Sequence, residues 1–352
     1  MDTNMHQLEQ AWQLLLTQQP GLRIRNAAEL LHVSELELQA TQIGKGVARL
    51  KSDFFQFAQQ LPQLGEVMSL ARNAHAVHET VGEFAKLKGK FPMGLFLGDQ
   101  DQRIFFSQWH YGFEVHDKDR LSFQFFDRYG RAIMKIYATK NTDMNAWQQL
   151  LGEFVAEDQT PGEQPEPEPE FERFSGDLQG VKSNLVEGWL KMTDVHQFHG
   201  LLRKLDLDRQ TAFETVDNHL AHSIQTEAIE ALIDSAAKME VPLMMFVANR
   251  GVVQIATHQP EKLMRTGPWF NILDKNFNLH LDTTGIHTAW VVRRPTKDGT
   301  VTAVEAFDAQ GQSIIQFFGQ RIEGQEERHD WRRLVDQLET NFNHHTLKAQ
   351  SH

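Results

Sequence analysis

Apolar residues recur along this chain with two different periods. At the start, LEQAWQLLL and then AAELLHVSELEL place their leucines at the three- and four-residue spacing of an amphipathic helix. Further on the period shortens. Runs rich in Phe, Val and Ile, bounded by turn residues, predict strands at Val67–Leu70, Thr80–Lys88, Gly94–Leu97, Ile104–Trp109, Gly112–His116 and from Leu121 to Thr139. The same reading predicts Leu243–Asn249, Val252–His258, Trp269–Leu273, Phe277–Asp282, His287–Arg294, Val301–Asp308 and Ser313–Gly319. The turns between them, ANRG, KDGT and DAQG, are short enough for hairpins, so the strands pair antiparallel and the class is α+β.

The two sets of strands belong to a duplication. LSFQFFDRYGRAIMKIYAT and VTAVEAFDAQGQSIIQFFGQR each read strand, Phe-Asp-x-x-Gly turn, strand. Asp127 with Asp308 and Gly130 with Gly311 share one offset of 181 residues, and the helix-leading Trp147 and Trp331 lie 184 apart. Trp12 and Trp189, near the start of each half, lie 177 apart. Offsets this constant indicate a tandem repeat. Between the halves, EDQTPGEQPEPEPEFERF alternates Pro with Glu and cannot bury apolar surface. The expected organisation is an N-terminal repeat over 1–156, an extended acidic linker over 157–174 and a C-terminal repeat over 175–352.

Composition narrows the function classes. Of 352 residues 40% are apolar, enough for two cores, and 24 Phe against 3 Tyr favour purely apolar aromatic surface. A net charge of -12 argues against general binding to a phosphate backbone. The absence of cysteine excludes disulfides, thiolate-ligated metal and covalent haem attachment. No signal-peptide pattern opens the sequence and no run of about 18 apolar residues occurs, so the expectation is a cytoplasmic protein that is not membrane-embedded.

Three H-x-x-H pairs, His75/His78, His196/His199 and His219/His222, recur among 17 histidines, a count that makes chance pairs common. None is the H-E-x-x-H of a zinc protease. The stretch KMTDVHQFHGLLRKLDLDR differs in context. It predicts a helix capped by Asp194, with Val195, Phe198, Leu202 and Leu205 on one face. His199 falls near the centre of that face and His196 on its boundary, in line with Gly200, whose missing side chain leaves a shelf for a flat ligand. Arg203, Lys204 and Arg209 follow. Arg103 reads as a turn residue before a strand, and Arg321, at the end of the last one, as an edge cation or a pocket wall. RNAAELLHVSELEL has the spacing of a helix-turn-helix, which keeps a DNA-binding regulator as a remote alternative, although no specific nucleic acid is expected at this charge.

MTDVHQFHGLLRK, GPWFNILDKNFNLHL, WVVRRPTKDGTVTAVEAFDAQG and QFFGQR together resemble the proteobacterial hemin-degrading factor family, the HemS, HmuS and ChuS type. The resemblance spans nearly the whole chain. It implies a cytoplasmic protein that receives imported haem, traffics it and degrades it to release iron with a haem oxygenase-like activity. It places the main haem site in the C-terminal repeat. It implies His196 as axial ligand to the haem iron, Arg103 as the catalytic distal arginine, and Arg209 and Arg294 as propionate anchors, Arg294 standing where the family has Lys. Phe246, Gln316, Phe318 and Arg321 would line the pocket. Two departures stand out: the last strand lacks the family's Tyr, and His199 occupies an apolar position and is thereby an alternative ligand. An inner-membrane haem importer and an external electron donor are the implied partners, since the chain shows no flavin or nicotinamide fingerprint; a homodimer stays open. A carrier that only hands haem to a separate oxygenase would need the same residues.

Overall fold

The computed structural model describes residues 2–322 and 324–343. The first repeat runs α1 (Asp2–Gln18), α2 (Ile24–Leu31), α3 (Glu35–Ala40), β1 (Val47–Arg49), α4 (Phe54–Gln60), β2 (Gly65–Arg72), β3 (Ala76–Glu83), β4 (Lys88–Lys90), β5 (Met93–Phe96), β6 (Asp101–Phe105), β7 (Tyr111–Asp117), β8 (Arg120–Phe126), β9 (Ala132–Thr142) and α5 (Met144–Phe154). The second runs α6 (Leu178–Leu190), α7 (Gln197–Lys204), α8 (Arg209–Thr215), β10 (Ala221–Ile224), α9 (Ala228–Lys238), β11 (Leu243–Ala248), β12 (Val252–His258), β13 (Leu263–Thr266), β14 (Trp269–Leu273), β15 (Phe277–Asp282), β16 (Thr288–Thr296), β17 (Gly299–Phe307), β18 (Ser313–Gly319) and α10 (His329–Phe342). Helices and strands follow one another in the same order in both, so the expected α+β tandem duplication is borne out.

Local chemistry repeats with the order. Asp127 closes its turn by accepting from Tyr129 N and Arg131 N, both at 2.9 Å, and Asp308 does the same with Gln310 N at 2.9 Å and Gln312 N at 2.8 Å. Gly130 and Gly311 stand at φ 79° and 86°, a region that glycine enters without strain. A register shift follows in each repeat, between Phe125 and Phe126 and between Ala306 and Phe307. The two short helix pairs α2–α3 and α7–α8 both turn through a residue at φ 55°, His32 and Asp206. Ser34 then caps α3 through Glu37 N, and Asp208 caps α8 through Thr211 N.

The chain forms two compact units. One comprises the chain up to Arg72 with Glu79–Pro169 and Asn249–Gln254; the other comprises Asn73–His78, Glu170–Ala248 and the chain from Ile255. In the first, β1-β7-β8-β9-β2 form an antiparallel ladder and β4-β5-β6 a second one. In the second, β10-β16-β17-β18-β11 and β13-β14-β15 form the corresponding pair. Each closing helix plugs its ladder with a tryptophan. Trp147 stacks on Phe123 at 4.0 Å, and Trp331 donates from Nε1 to Thr302 O at 3.2 Å.

Several expectations change. The strand predicted over Ile104–Trp109 ends at Phe105 and becomes a single 3-10 turn, Phe106–Gln108. Phe106 and Trp109 are both buried, and their i, i+3 spacing shares a face only in a helical turn. The short strands β1, β4, β10 and β13, three or four residues each, lie outside the predicted set. The helix-turn-helix spacing does produce two helices, but nearly all of α3 is buried, Glu35 included, so it presents no face to a groove.

The Pro-Glu segment has no regular structure, yet its ends are bound. Arg49 contacts Asp158 O at 2.7 Å, Thr160 O at 2.8 Å and Glu163 Oε1 at 2.7 Å, and Glu168 pairs with Arg131 and Arg250. Within the other unit, Arg173 pairs with Glu214 at 2.6 Å. Carboxylates that cannot enter a core are here taken up by surface arginines.

Candidate functional site

The β10-β16-β17-β18-β11 ladder has two unlike faces. One carries Met245, Val247, Val291, Val304, Ala306, Ile315 and Phe317 into the core against α9 and α10. Side chains alternate along strands, so their neighbours face the other way. Register places Phe246 opposite Gln316, Gln316 opposite Glu305, Met244 opposite Phe318, Phe318 opposite Ala303 and Arg294 opposite Val301. Four of the expected pocket residues, Phe246, Gln316, Phe318 and Arg294, thus share one face. Phe246 and Phe318 pack at 5.0 Å, and with Met244, Val195, Val301 and Ala303 they form a partly open apolar patch.

Helix α7 begins at this patch. His196 is its N-cap residue, next to Val195, and its imidazole is 71% exposed. Asp194 acts one step earlier than a helix cap: its Oδ1 accepts from His196 N at 2.8 Å and lies 2.6 Å from His196 Nδ1. Those bonds, the backbone one first, hold the Asp194 carboxyl below its usual range, with a further contribution from Arg321. The half-buried Arg321 therefore belongs to the same corner as His196. With Nδ1 occupied, Nε2 points outward with no hydrogen-bond partner among the described residues. Gly200 has nothing within 4 Å of where a Cβ would stand, so the expected shelf exists.

His199 departs from expectation: it is exposed, not buried in the apolar face. The buried stripe is centred on Phe198 and rotated toward Leu201 and Leu205, because Leu201 seats against Gly188 of α6, where a Cβ would lie 2.5 Å from its Cδ1. That rotation leaves His199 just outside the stripe.

Beneath α7 and α8 lies a charge cluster that sequence reasoning did not assemble. Glu305, fully buried on β17, accepts from Arg209 Nε at 2.5 Å and Nη2 at 2.8 Å and from Arg294 Nη2 at 2.6 Å. Arg209 also reaches Gln316 Oε1 at 3.3 Å, and Arg294 lies 4.6 Å over the Phe198 ring. Burial alone would push the Glu305 carboxyl up; Arg209 and Arg294 outweigh it and hold the group below its usual range. Burial pulls Arg294 down to about 10, with Glu305 opposing and Arg209 adding to the fall. Two guanidiniums against one carboxylate leave one net positive charge. Arg294 is only 2% exposed, while Arg209 stays half-exposed. The available signal was a lone charged residue, Glu305, in the run VTAVEAF, a position that must find a cation if the strand is buried.

The first repeat builds the same corner differently. Aligned on His32 and Asp206, Arg209 falls opposite Glu35, which pairs with Lys135 and Arg72. Burial raises the Glu35 carboxyl, but these cations bring it to about 2. His196 falls opposite Leu22 in this alignment, so the imidazole is peculiar to the second repeat. Arg103 belongs to the first unit, on β6 opposite Leu95, half-buried, with one long contact of 3.5 Å to Asp101. The other H-x-x-H pairs do not form paired sites. His78 is buried against Phe277, and burial pulls it down to about 3, whereas His222 pairs with Glu339 at 3.0 Å. Among the described residues no group of three or more His, Cys, Asp or Glu could hold a metal ion, and no helix is long and apolar enough to cross a membrane.

The haemin-degrading HemS.ChuX domain matches residues 32–154 and again 206–338. This chain belongs to that family. It is 39% identical over 327 residues to the hemin transport protein HmuS of Yersinia pestis, covering 91% of this chain and 93% of HmuS. Among solved structures, the haem-binding protein PhuS of Pseudomonas aeruginosa, in its apo form, superposes with a TM-score of 0.90 at 37% identity, over 94% of this chain and 98% of PhuS. ChuS, described as an Escherichia coli haem oxygenase, superposes at 0.84 with 36% identity, over 94% of this chain and 99% of ChuS.

Proposed function

We propose that this protein binds haem as cargo at the partly open Phe246–Phe318 patch of the β16-β17-β18-β11 ladder, with His196 as axial ligand, and that it traffics the haem and degrades it to release iron. The observation that carries the reading is the His196 imidazole, exposed on its Nε2 side, held at Nδ1 by Asp194 and set beside the Phe246–Phe318 patch. A neutral imidazole with one nitrogen fixed by a carboxylate is a pre-oriented iron ligand, and phenylalanines exclude water from a porphyrin face. Family relatives described as haem-binding, transporting and degrading support it.

The arginines divide their work in this reading. Arg209, half-exposed, meets a propionate; Arg294 acts from below by sharing Glu305 with it. Arg321 adds positive charge at the same rim, and His199, exposed one turn along, is the alternative ligand. Arg103 takes the distal role that the family resemblance assigns, and its single long ion-pair contact leaves most of its donors available. An importer that supplies haem and a donor that supplies electrons complete the scheme in the cytoplasm.

The deciding experiment loads purified protein with haem, adds a reductant with catalase present, and follows the Soret band. Decay with release of iron and an open-chain pigment establishes degradation. Intact haem that passes to an apo-acceptor establishes the carrier instead, and failure to form a Soret band on loading refutes haem binding.

A further inference from the structure

The hairpin β4–β5 has a composition unlike the rest of this acidic chain. Its strand and approach carry Lys86, Lys88 and Lys90, all exposed, and its tip carries Phe91 at 65% and Met93 at 56% exposure. None of the three lysines forms an ion pair among the described residues. Lys88 and Lys90 are two apart and share a face of β4, and Lys90 sits opposite Met93. The tip is rigid. A Cβ on Gly94 would meet Phe106 at 2.7 Å and Leu87 at 2.8 Å, and one edge of Phe91 rests on Phe55 at 6.4 Å. The equivalent hairpin of the second repeat, β13–β14, carries two cations by the same measure, Lys262 at its approach beside Glu261, and Arg265, which pairs with Glu230.

Lysines on an edge strand commonly guard against strand-to-strand association. That role does not explain a Phe and a Met held in water at the tip just beyond them. We infer that this hairpin docks the protein on an anionic membrane surface, Phe91 and Met93 entering the interface and the three lysines meeting headgroups. An aromatic tip flanked by lysines suits a bilayer, where no complementary pocket is needed. A protein partner would need a patch of roughly 800 Å² on each side, far more than one narrow tip offers. The net charge of -12 does not oppose this, since charges beyond about 8 Å are screened at physiological salt. The inference stands independently of the haem site.

The test is co-sedimentation of the full chain with vesicles of neutral phosphatidylcholine alone or with about 30% anionic phosphatidylglycerol, at roughly 50 mM and 300 mM salt. Binding is expected to the anionic vesicles only and to weaken at the higher salt. Each Lys→Gln change at 86, 88 or 90 should lower partitioning about fivefold, and Phe91→Ser should lower it further, with unaltered melting curves because all four side chains are exposed. Arg265→Gln should change nothing. Equal binding to both vesicle types, no binding to either, or a triple Lys→Gln variant that partitions like the parent overturns the inference. A variant that aggregates while its vesicle binding is unchanged does so too and returns the lysines to edge protection.

Discussion

Replacing Glu305 by Gln tests the charge cluster beneath α7 most directly. The substitution keeps the shape but removes the one carboxylate that, among the described residues, pairs with Arg209 and Arg294. Arg294 cannot turn to water, because it is buried beside Phe198. Breaking a buried pair by deleting one partner costs about 3–5 kcal/mol, since the remaining charge stays desolvated. For a unit of this size that corresponds to roughly 10 °C in Tm. The assay is thermal and urea unfolding followed by tryptophan fluorescence, with Trp189 and Trp290 reporting from the same unit. Acid adds a second signature. The folded Glu305 carboxyl lies below its usual range, so its contribution is complete above the unfolded value of about 4.3 and is lost as pH falls through the folded value. The gap between parent and variant should hold at neutral pH and close in acid. Replacing all three residues by apolar ones of similar volume should be nearly neutral or stabilising. A Glu305→Gln shift under about 2 °C at neutral pH would refute the claim that this carboxylate offsets the buried Arg294 and the partly exposed Arg209.

Other outcomes follow from the same geometry. Asp194→Asn should weaken haem affinity about tenfold and raise the iron reduction potential, because Nδ1 loses its carboxylate acceptor; an unchanged potential would show that Asp194 only shapes the turn. His196→Ala should change the ferric spectrum and His199→Ala should leave it, with the double variant revealing any rescue by His199. The reverse pattern would sink the ligand assignment. Arg103→Ala should shift Tm by less than about 3 °C, as expected when a half-exposed side chain worth under ~0.5 kcal/mol is lost, while altering the ferric spectrum; a large Tm loss with a normal spectrum would make Arg103 structural. His78, pulled down to about 3 by burial, is neutral when folded, so stability is complete above about pH 6.5 and falls below it by up to about 1.4 kcal/mol per pH unit. His78→Gln should flatten that slope between roughly pH 6.5 and 5, and an unaltered slope would place the acid sensitivity elsewhere.

The sequence by itself determined what depends on near neighbours. Strand alternation located β14, β15 and β18 to the residue, and the Asp-x-x-Gly turns with their constant offset disclosed the duplication, because a turn is closed by its own four or five residues. His196 and its open shelf were also legible, since an imidazole and a glycine on one helix need only the helical period. Only the tertiary structure decided where the charges go. Arg209 and Glu305 stand 96 residues apart, and nothing local tells a cation spent on a buried carboxylate from one left for a ligand. The same holds for His199, whose exposure follows from Leu201 packing against Gly188 on another helix. It holds as well for the Pro-Glu segment, whose carboxylates found Arg49, Arg131 and Arg250. Hydrophobic period is written along the chain, whereas the partner of a charge depends on which strands and helices come together, and long-range packing alone sets that.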